Sequence, residues 1–341
     1  MYAGLRDSWE LTKPFLRPAR FWNAVKVYAS YYWGRMTGSA AQWGKPLAVG
    51  IEPTTACNLG CPQCPSGLNT FTRPTGKMTA EKFAIVVDKL ADACGYVTLY
   101  FQGEPYINKA FTAMIAECTK RGIYSATSTN AHFLTETVAE ETVKAGLKRM
   151  IISIDGVTQD SYSHYRVGGQ LDKVLEGTRH VLNAREKLGK KNPVVIWQFI
   201  VFAHNEHELP EVKRLAKEYG VDKLAIKTAQ VYDAENAEQW LPVDDKKSRY
   251  QKNEQGKLEL KYAGLRHCSR LWTNPVVTWD GNVVPCCFDK DAEHGFGNVI
   301  DEDFETVWQG EKAAEFRKRL KKGRSNIEIC RNCSEGTRVW L

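Results

Sequence analysis

The sequence has no uncharged apolar run of about eighteen residues, which leaves no candidate for a membrane-spanning helix. Met1 to Arg20 lacks an apolar core followed by a small-residue cleavage site, so no signal peptide is read there and the expected compartment is the cytoplasm. There is no tandem repeat, low-complexity tract, glycine-rich phosphate loop or hydrolase triad. Charge of one sign is not concentrated either: the net charge of +7 comes from Lys and Arg scattered among Asp and Glu, and a nucleic-acid partner is not expected. Core material is ample, with 43% hydrophobic and 26% charged residues. At 341 residues the chain exceeds the usual size of one hydrophobic core, so a large domain with smaller pieces is expected.

The chain does have ten cysteines, and they are grouped. Cys57, Cys61 and Cys64 lie together near the start, and Cys268, Cys286, Cys287, Cys330 and Cys333 near the end. A reducing compartment argues against disulfides. Cys94 and Cys118 stand apart, and Cys118 follows Phe111, Met114 and Ile115 at helical spacing, as a small buried hydrophobe would.

Between the two groups, short β-rich runs alternate with amphipathic stretches. Strands are expected in "PLAVGIEPT" (46 to 54), "YVTLYF" (96 to 101), "IYSATST" (123 to 129), "RMIISID" (149 to 155), "VVIWQFIVF" (194 to 202) and "DKLAIKT" (222 to 228). Helices are expected from Thr79, from a cap at Asn108 through Cys118, over 135 to 145, 169 to 187 and 206 to 219. Six strands alternating with helices imply an α/β fold, a parallel sheet that is open or curled into a partial barrel. Chemistry in such sheets gathers at the strand C-terminal ends. There stand Cys57, "QGEP" (102 to 105), "TNA" (129 to 131) and "SIDG" (153 to 156).

C-x3-C-x2-C on one loop suits a cubane iron-sulfur cluster with three ligated irons and one open iron, whereas zinc would want a fourth ligand from elsewhere. With "QGEP", "SIDG" and "YRVGG" (165 to 169), this spacing resembles the radical S-adenosylmethionine (SAM) superfamily over roughly residues 46 to 335. The resemblance implies a partial (β/α)6 TIM-like barrel, a [4Fe-4S] cluster on Cys57, Cys61 and Cys64, and SAM chelated at the open iron. One electron would then release a 5′-deoxyadenosyl radical able to abstract hydrogen. By analogy Gly103 and Glu104 border the methionyl amino group, and Ser153 and Arg166 approach its carboxylate or the ribose. Gln102 stands where the family usually has glycine, which alters the loop locally. A flavodoxin- or ferredoxin-type electron donor is implied as partner. Asp155, Tyr100 and Lys227 lie near strand ends and read as structural.

Cys268 and Cys286 flank two β-rich runs joined at Asp280-Gly281, a hairpin signal that brings them together, and "CRNC" returns a C-x2-C pair. This order resembles the auxiliary-cluster domains called SPASM and twitch. The full SPASM pattern has seven cysteines and two clusters; five are present here, which implies one auxiliary [4Fe-4S] cluster on Cys268, Cys286, Cys330 and Cys333. Cys287 is either a spare thiol or a replacement for Cys286, and a zinc ribbon is the alternative for all four.

The expected organisation is a helical extension at 1–45, the barrel at 46–232, a charged linker or cover for the mouth at 233–267, and a hairpin-plus-helix cluster domain at 268–341. In the extension, Phe21, Val25, Tyr28, Tyr32 and Met36 form one helical stripe with Trp22 and Trp33 on its flank. A helix packed on the barrel's outside accounts for the stripe, and a peripheral membrane contact through 20–36 is the other reading. Three functions are open. One is a radical enzyme oxidising or cross-linking a small metabolite or ribosomal peptide. The second adenosylates or rearranges a lipid or isoprenoid at a membrane, and the third is a non-enzymatic iron-sulfur or zinc scaffold.

Overall fold

The alternating runs become a parallel sheet because each amphipathic helix has one apolar face to bury against it. The computed structural model describes residues 2–232, 237–261 and 268–334. After α1 (Tyr2–Thr12) and α2 (Pro18–Thr37) come β1 (Ala48–Ile51), the single turn α3 (Pro65–Leu68) and α4 (Ala80–Leu90). Then β2 (Tyr96–Thr98), α5 (Phe111–Lys120), β3 (Tyr124–Thr129), α6 (Glu136–Ala145), β4 (Arg149–Ser153), α7 (Gln159–Tyr165) and α8 (Leu171–Lys187) follow. The alternation ends with β5 (Val194–Val201), α9 (Leu209–Tyr219) and β6 (Lys223–Thr228). Strands β1 to β6 pair in chain order, all parallel. The Thr79 side chain caps α4 by accepting from the Lys82 N–H at 3.2 Å, and the helix buries Phe83, Val86, Val87 and Leu90. Helix α5 buries Phe111, Met114, Ile115 and Cys118, so Cys118 is the core hydrophobe its spacing indicated.

Three local expectations change. β2 ends at Thr98, and the remainder of its run, through Phe101, bends away into the loop that follows. Asn108 does not cap α5, which begins at Phe111; its buried amide donates to the Pro53 and Met78 carbonyls at 2.8 Å each and braces that loop. Helix α7, closed by a Thr158–Ser161 capping box, was not foreseen, because its seven residues are too few to show a period.

The sheet does not stop at β1. The segment 233–267 has its described part, 237–261, folded into a hairpin of β7 (Tyr250–Lys252) and β8 (Leu258–Leu260). Its Trp240, Tyr250 and Leu260 pack with Leu59, Cys61, Tyr165 and Phe202. Residues 233–236 and 262–267, and 335–341 of the final domain, lie outside the described residues. Beyond α10 (Arg270–Thr273), β9 (Val276–Val277) pairs in parallel with β1, and β10 (Val283–Val284) returns antiparallel through the Asp280-Gly281 turn, where Gly281 takes φ +95°. The result is an eight-stranded sheet in the order β10-β9-β1-β2-β3-β4-β5-β6, which is mostly parallel and does not close. Helices α11 (Phe304–Gln309), α12 (Glu311–Lys322) and α13 (Glu328–Arg331) complete the chain.

Helix α2 packs on the outside of the sheet, but its apolar stripe does not make the contact. The helix is buried through Arg20, Val27, Ser30 and Gly34, while Phe21, Val25, Tyr28, Tyr32 and Met36 are exposed. Arg20 explains the orientation. Its buried guanidinium donates to the Ala91, Arg121 and Gly122 carbonyls at 2.6–3.1 Å, and Ala91 and Arg121 are the C-caps of α4 and α5. A cation there satisfies carbonyls that the helices leave unpaired.

A buried ion pair joins the first strand to the last domain. Arg73 makes a bidentate contact with Glu52, at 2.9 and 2.6 Å, and its Nε donates to the Lys290 carbonyl at 2.9 Å. The Trp279 N–H donates to the same carboxylate at 3.2 Å. Burial raises the pKa of Glu52, and Arg73 opposes that shift. Arg73→Met should therefore cost about 3–5 kcal/mol by stranding a buried carboxylate, and Glu52→Met with Arg73→Met should recover most of it. Denaturant midpoints of the two variants and the parent protein check this.

Candidate active site

At the C-terminal ends of the strands, a cavity of about 350 Å³ collects residues from six successive connections. Cys57, Cys61 and Cys64 line it, with Gly103, Glu104, Asn130, Ser153 and Arg166. The cysteine loop is a set of short turns: the Gly60 N–H donates to the Val167 carbonyl at 2.9 Å, the Cys64 N–H to Cys61 at 3.2 Å, and Cys64 immediately precedes α3. Asn58 on this loop accepts from the Asn130 amide at 2.8 Å, which links it to the end of β3. Burial pushes the Cys57 thiol up to about 11 and raises Cys61. Three thiols grouped on one loop, Cys61 buried and Cys57 and Cys64 half-buried, fit a metal cluster, because ligation replaces the protons that burial otherwise retains on Cys57 and Cys61.

The loop after β2 is held by close backbone approach. Gly103 has φ +70°, and a Cβ there would stand 2.4 Å from the Thr54 carbonyl oxygen and 2.6 Å from that of Ala56, so only glycine fits. Gln102, the departure from the usual glycine, is buried and its Oε1 accepts from the Ser66 hydroxyl at 3.2 Å; the Gly103 N–H donates to the same hydroxyl oxygen at 2.8 Å. The substitution thus pins the loop to α3. Glu104 is buried and accepts from the Thr129 hydroxyl at 2.7 Å, the Asn130 N–H at 2.7 Å and the Tyr106 N–H at 3.2 Å. Burial nevertheless pushes its pKa up to about 7. Such a carboxylate is a ready acceptor for a cationic ligand, whose charge offsets the desolvation.

Arg166 lines the cavity beside the cysteine loop. Its Nε donates to Asp155 at 2.7 Å, and Nη1 lies 3.9 Å from the Cys61 sulfur. The other Asp155 oxygen accepts from the Ile200 N–H at 2.7 Å, so Asp155, two residues past β4 and tied to β5, positions Arg166. Ser153, the last residue of β4, is buried and lines the cavity. The far wall carries groups that sequence reasoning passed over. Arg249, Lys290, Gln198 and Tyr232 line the cavity, and so do Tyr100 and Lys227, which had read as structural. Burial pushes Lys227 and Lys290 down to about 8. Lys290 stacks 3.4 Å from the centre of the Tyr232 ring. Only Lys290 had a local signal, its place just after Cys286 and Cys287; Arg249 arrives from the charged segment that carried no periodicity.

That second group also converges. Cys286 feels Cys287, Cys268 and Cys333, and Cys330 feels Cys333 and Cys268, with burial as the largest effect on both; Cys330 is pushed up to about 12. The β9–β10 hairpin brings residues 268 and 286 together, and α12 returns 330 and 333. Cys287 is exposed and acts electrostatically on Tyr100, Lys227 and Tyr232 of the cavity wall, so the hairpin end lies between the two cysteine groups. Cys94 is fully buried, its thiol donating to the Tyr96 carbonyl.

Comparison with known proteins agrees with this arrangement. Residues 51–216 match the radical SAM superfamily, and residues 268–334 match SPASM, an iron-sulfur cluster-binding domain. The chain belongs to the radical SAM superfamily, and its SPASM domain places it among the members with auxiliary clusters. It is 26% identical over 295 residues to the tungsten-containing aldehyde ferredoxin oxidoreductase cofactor-modifying protein of Pyrococcus furiosus, spanning 78% of this chain and 82% of that one. It is 25% identical over 316 residues to the PqqA peptide cyclase of Gluconobacter oxydans, spanning 86% and 84%. Streptococcus suis SuiB, solved with S-adenosylmethionine and with precursor peptide SuiA, superimposes with TM-scores of 0.63 and 0.62 at 14% identity, over 90% and 93% of this chain and 75% of that one. The fold is therefore that of the radical SAM partial barrels. Membership implies a [4Fe-4S] cluster with SAM, and auxiliary iron-sulfur ligation in the SPASM domain.

Glu104 gives a pH signature. Its folded pKa, about 7, lies above the ordinary 4.5, so its stabilisation is complete below pH 4.5 and is lost as pH rises through 7. In the cofactor-free protein this amounts to roughly 3 kcal/mol. The stability difference between the parent and Glu104→Gln, followed by denaturant unfolding from pH 4 to 8, should change by that amount and level off above pH 8.

Proposed function

We propose that the protein is a radical SAM enzyme that oxidises or cross-links an organic substrate, with a peptide as the favoured class. The observation that carries this reading is the cavity at the strand ends, which brings three thiols together with Arg166, Lys227, Arg249 and Lys290, while the second cysteine group acts on its Tyr232 wall. When bound, the cluster and SAM supply one-electron cleavage and hydrogen-atom abstraction. This chain's residues do the rest. Cys57, Cys61 and Cys64 ligate the cluster, Glu104 and the Gly103 loop receive the methionyl ammonium, and Ser153 and Arg166 receive its carboxylate or the ribose. Asp155 positions Arg166.

Cys268, Cys286, Cys330 and Cys333 would hold one auxiliary cluster, which would supply the one-electron acceptor that a net oxidation of the substrate needs. Five cysteines are too few for two fully ligated clusters. Lys227, Arg249 and Lys290 suit a substrate bearing a carboxylate, as peptides do at their C-terminus and acidic side chains. The peptide class also draws on the PqqA peptide cyclase likeness. The electron comes from a reduced flavodoxin- or ferredoxin-type donor, which is oxidised in turn. A lipid substrate is disfavoured, because the exposed aromatic helix packs at the strand N-terminal ends, away from the cavity.

Anaerobically prepared protein should contain about eight irons and no zinc, falling to about four in Cys57→Ala/Cys61→Ala/Cys64→Ala and, separately, in Cys330→Ala/Cys333→Ala. Deuterium from a labelled substrate should appear in 5′-deoxyadenosine. Zinc at the second site, or no cleavage of SAM by the reduced protein, would overturn the proposal.

A further inference from the structure

At about 100° per residue, Phe21, Val25, Tyr28, Tyr32 and Met36 span an arc of roughly 80° on α2, centred roughly 160° from the buried arc of Arg20, Val27, Ser30 and Gly34. Trp22 and Trp33 widen the exposed arc on one side, where Lys26 closes it, and Arg35 closes the other. All nine of these residues outside the buried arc are exposed. Leu5, Trp9 and Leu16, from α1 and the turn after it, are exposed as well, at 57–69%. Scattered apolar residues need no explanation, but a continuous aromatic face on a pinned helix does.

Charge identifies the occupant. Residues 1–45 contain seven Lys or Arg and two acids, Asp7 and Glu10. Both acids are spent on the barrel: Asp7 pairs with Arg149 and accepts from Tyr124, and Glu10 pairs with Lys148 at 2.9 Å. Lys13, Lys26 and Arg35 remain exposed. A second copy of the chain laid on this face would bring those cations against one another. Anionic lipid would complement them, and Trp and Tyr are the side chains suited to the headgroup level. No helix among the described residues is long and apolar enough to cross a membrane, so the contact lies in the interface plane.

We propose that this face seats the protein on anionic lipid bilayers. Its anchors, Asp7 on the first residues of β3 and β4 and Phe15 against Gly95 before β2, lie at the strand N-terminal ends. The cavity lies at the C-terminal ends and faces water when the helix is seated. The lipid is a support and not the substrate, and the proposal stands apart from the reaction proposed above.

Flotation of the full chain with vesicles of equal parts phosphatidylglycerol and phosphatidylcholine tests it. The protein should rise with these vesicles and remain below with phosphatidylcholine alone. Phe21→Ser/Trp22→Ser/Tyr32→Ser, and separately Lys26→Glu/Arg35→Glu, should lower the bound fraction about tenfold or more, with iron content and thermal midpoint unchanged. The proposal is overturned if the parent fails to float, if neutral vesicles bind equally, or if the aromatic variants float as well as the parent. It is also overturned if sedimentation shows a dimer that those variants abolish, since the face would then belong to a second copy.

Discussion

The Glu52–Arg73 pair is the constraint on which the arrangement of this chain depends. Glu52 directly follows β1, Arg73 lies beyond the cysteine loop, and the contacts from Trp279 and to the Lys290 carbonyl come from the C-terminal hairpin and the loop that follows it. The chain between residues 52 and 73 is therefore closed at its base like a clasp. Cys57, Cys61 and Cys64 lie inside that closure, so their loop cannot drift from the sheet. The same guanidinium also fixes the hairpin whose far end carries Cys286. A charge pair this buried offers little net stability compared with an apolar pair. What it fixes is register, setting the distance between the two cysteine groups through one shared residue.

Within the cavity, burial acts in one direction on opposite charges. It lifts Glu104 towards its neutral acid and lowers Lys227 and Lys290 towards their neutral amines. Arg166 is the exception, because Asp155 and Cys61 more than offset its desolvation and it stays charged. The walls are thus poised between protonation states, and the charge of an arriving ligand decides which form prevails. A cationic ammonium beside Glu104 and an anionic group beside Lys290 each favour the ionised partner. Glu104 and the cationic wall together suit a site that must hold a sulfonium cofactor and a carboxylate-bearing substrate at once.

Much of this was legible in the sequence wherever spacing encodes geometry. The strand alternation, the apolar faces of α4 and α5, the Asp280-Gly281 turn and the three clustered cysteines all follow from local periods and turn chemistry. The pairing of β9 with β1 was not legible, because two-residue strands have no period and a parallel partner more than two hundred residues away leaves no local mark. Arg249 was hidden for a related reason: it lies in a polar segment whose few apolar anchors, Trp240, Tyr250 and Leu260, are too widely spaced to form a pattern. The stripe on α2 was legible as a stripe, but the sequence left open whether it faces the barrel or the outside. An amphipathic period tells which residues share a face, but a buried arginine that caps two other helices reverses which face is buried.

That reversal separates two tasks along the axis of the sheet. Loops at the C-terminal ends of parallel strands are free to vary and carry the cavity, while the N-terminal ends need only be covered. Arg20 and Asp7 provide that cover by meeting carbonyls and side chains at the ends of α4 and α5 and at the starts of β3 and β4. These contacts are polar and directional, and they fix the rotation of α2 more tightly than apolar packing would. With the rotation fixed, the aromatic face cannot turn inward even though burial would reward it. A helix that keeps Phe, Trp and Tyr in water at such a cost marks a surface with a second environment, and the position of the cavity at the opposite end leaves substrate access independent of it.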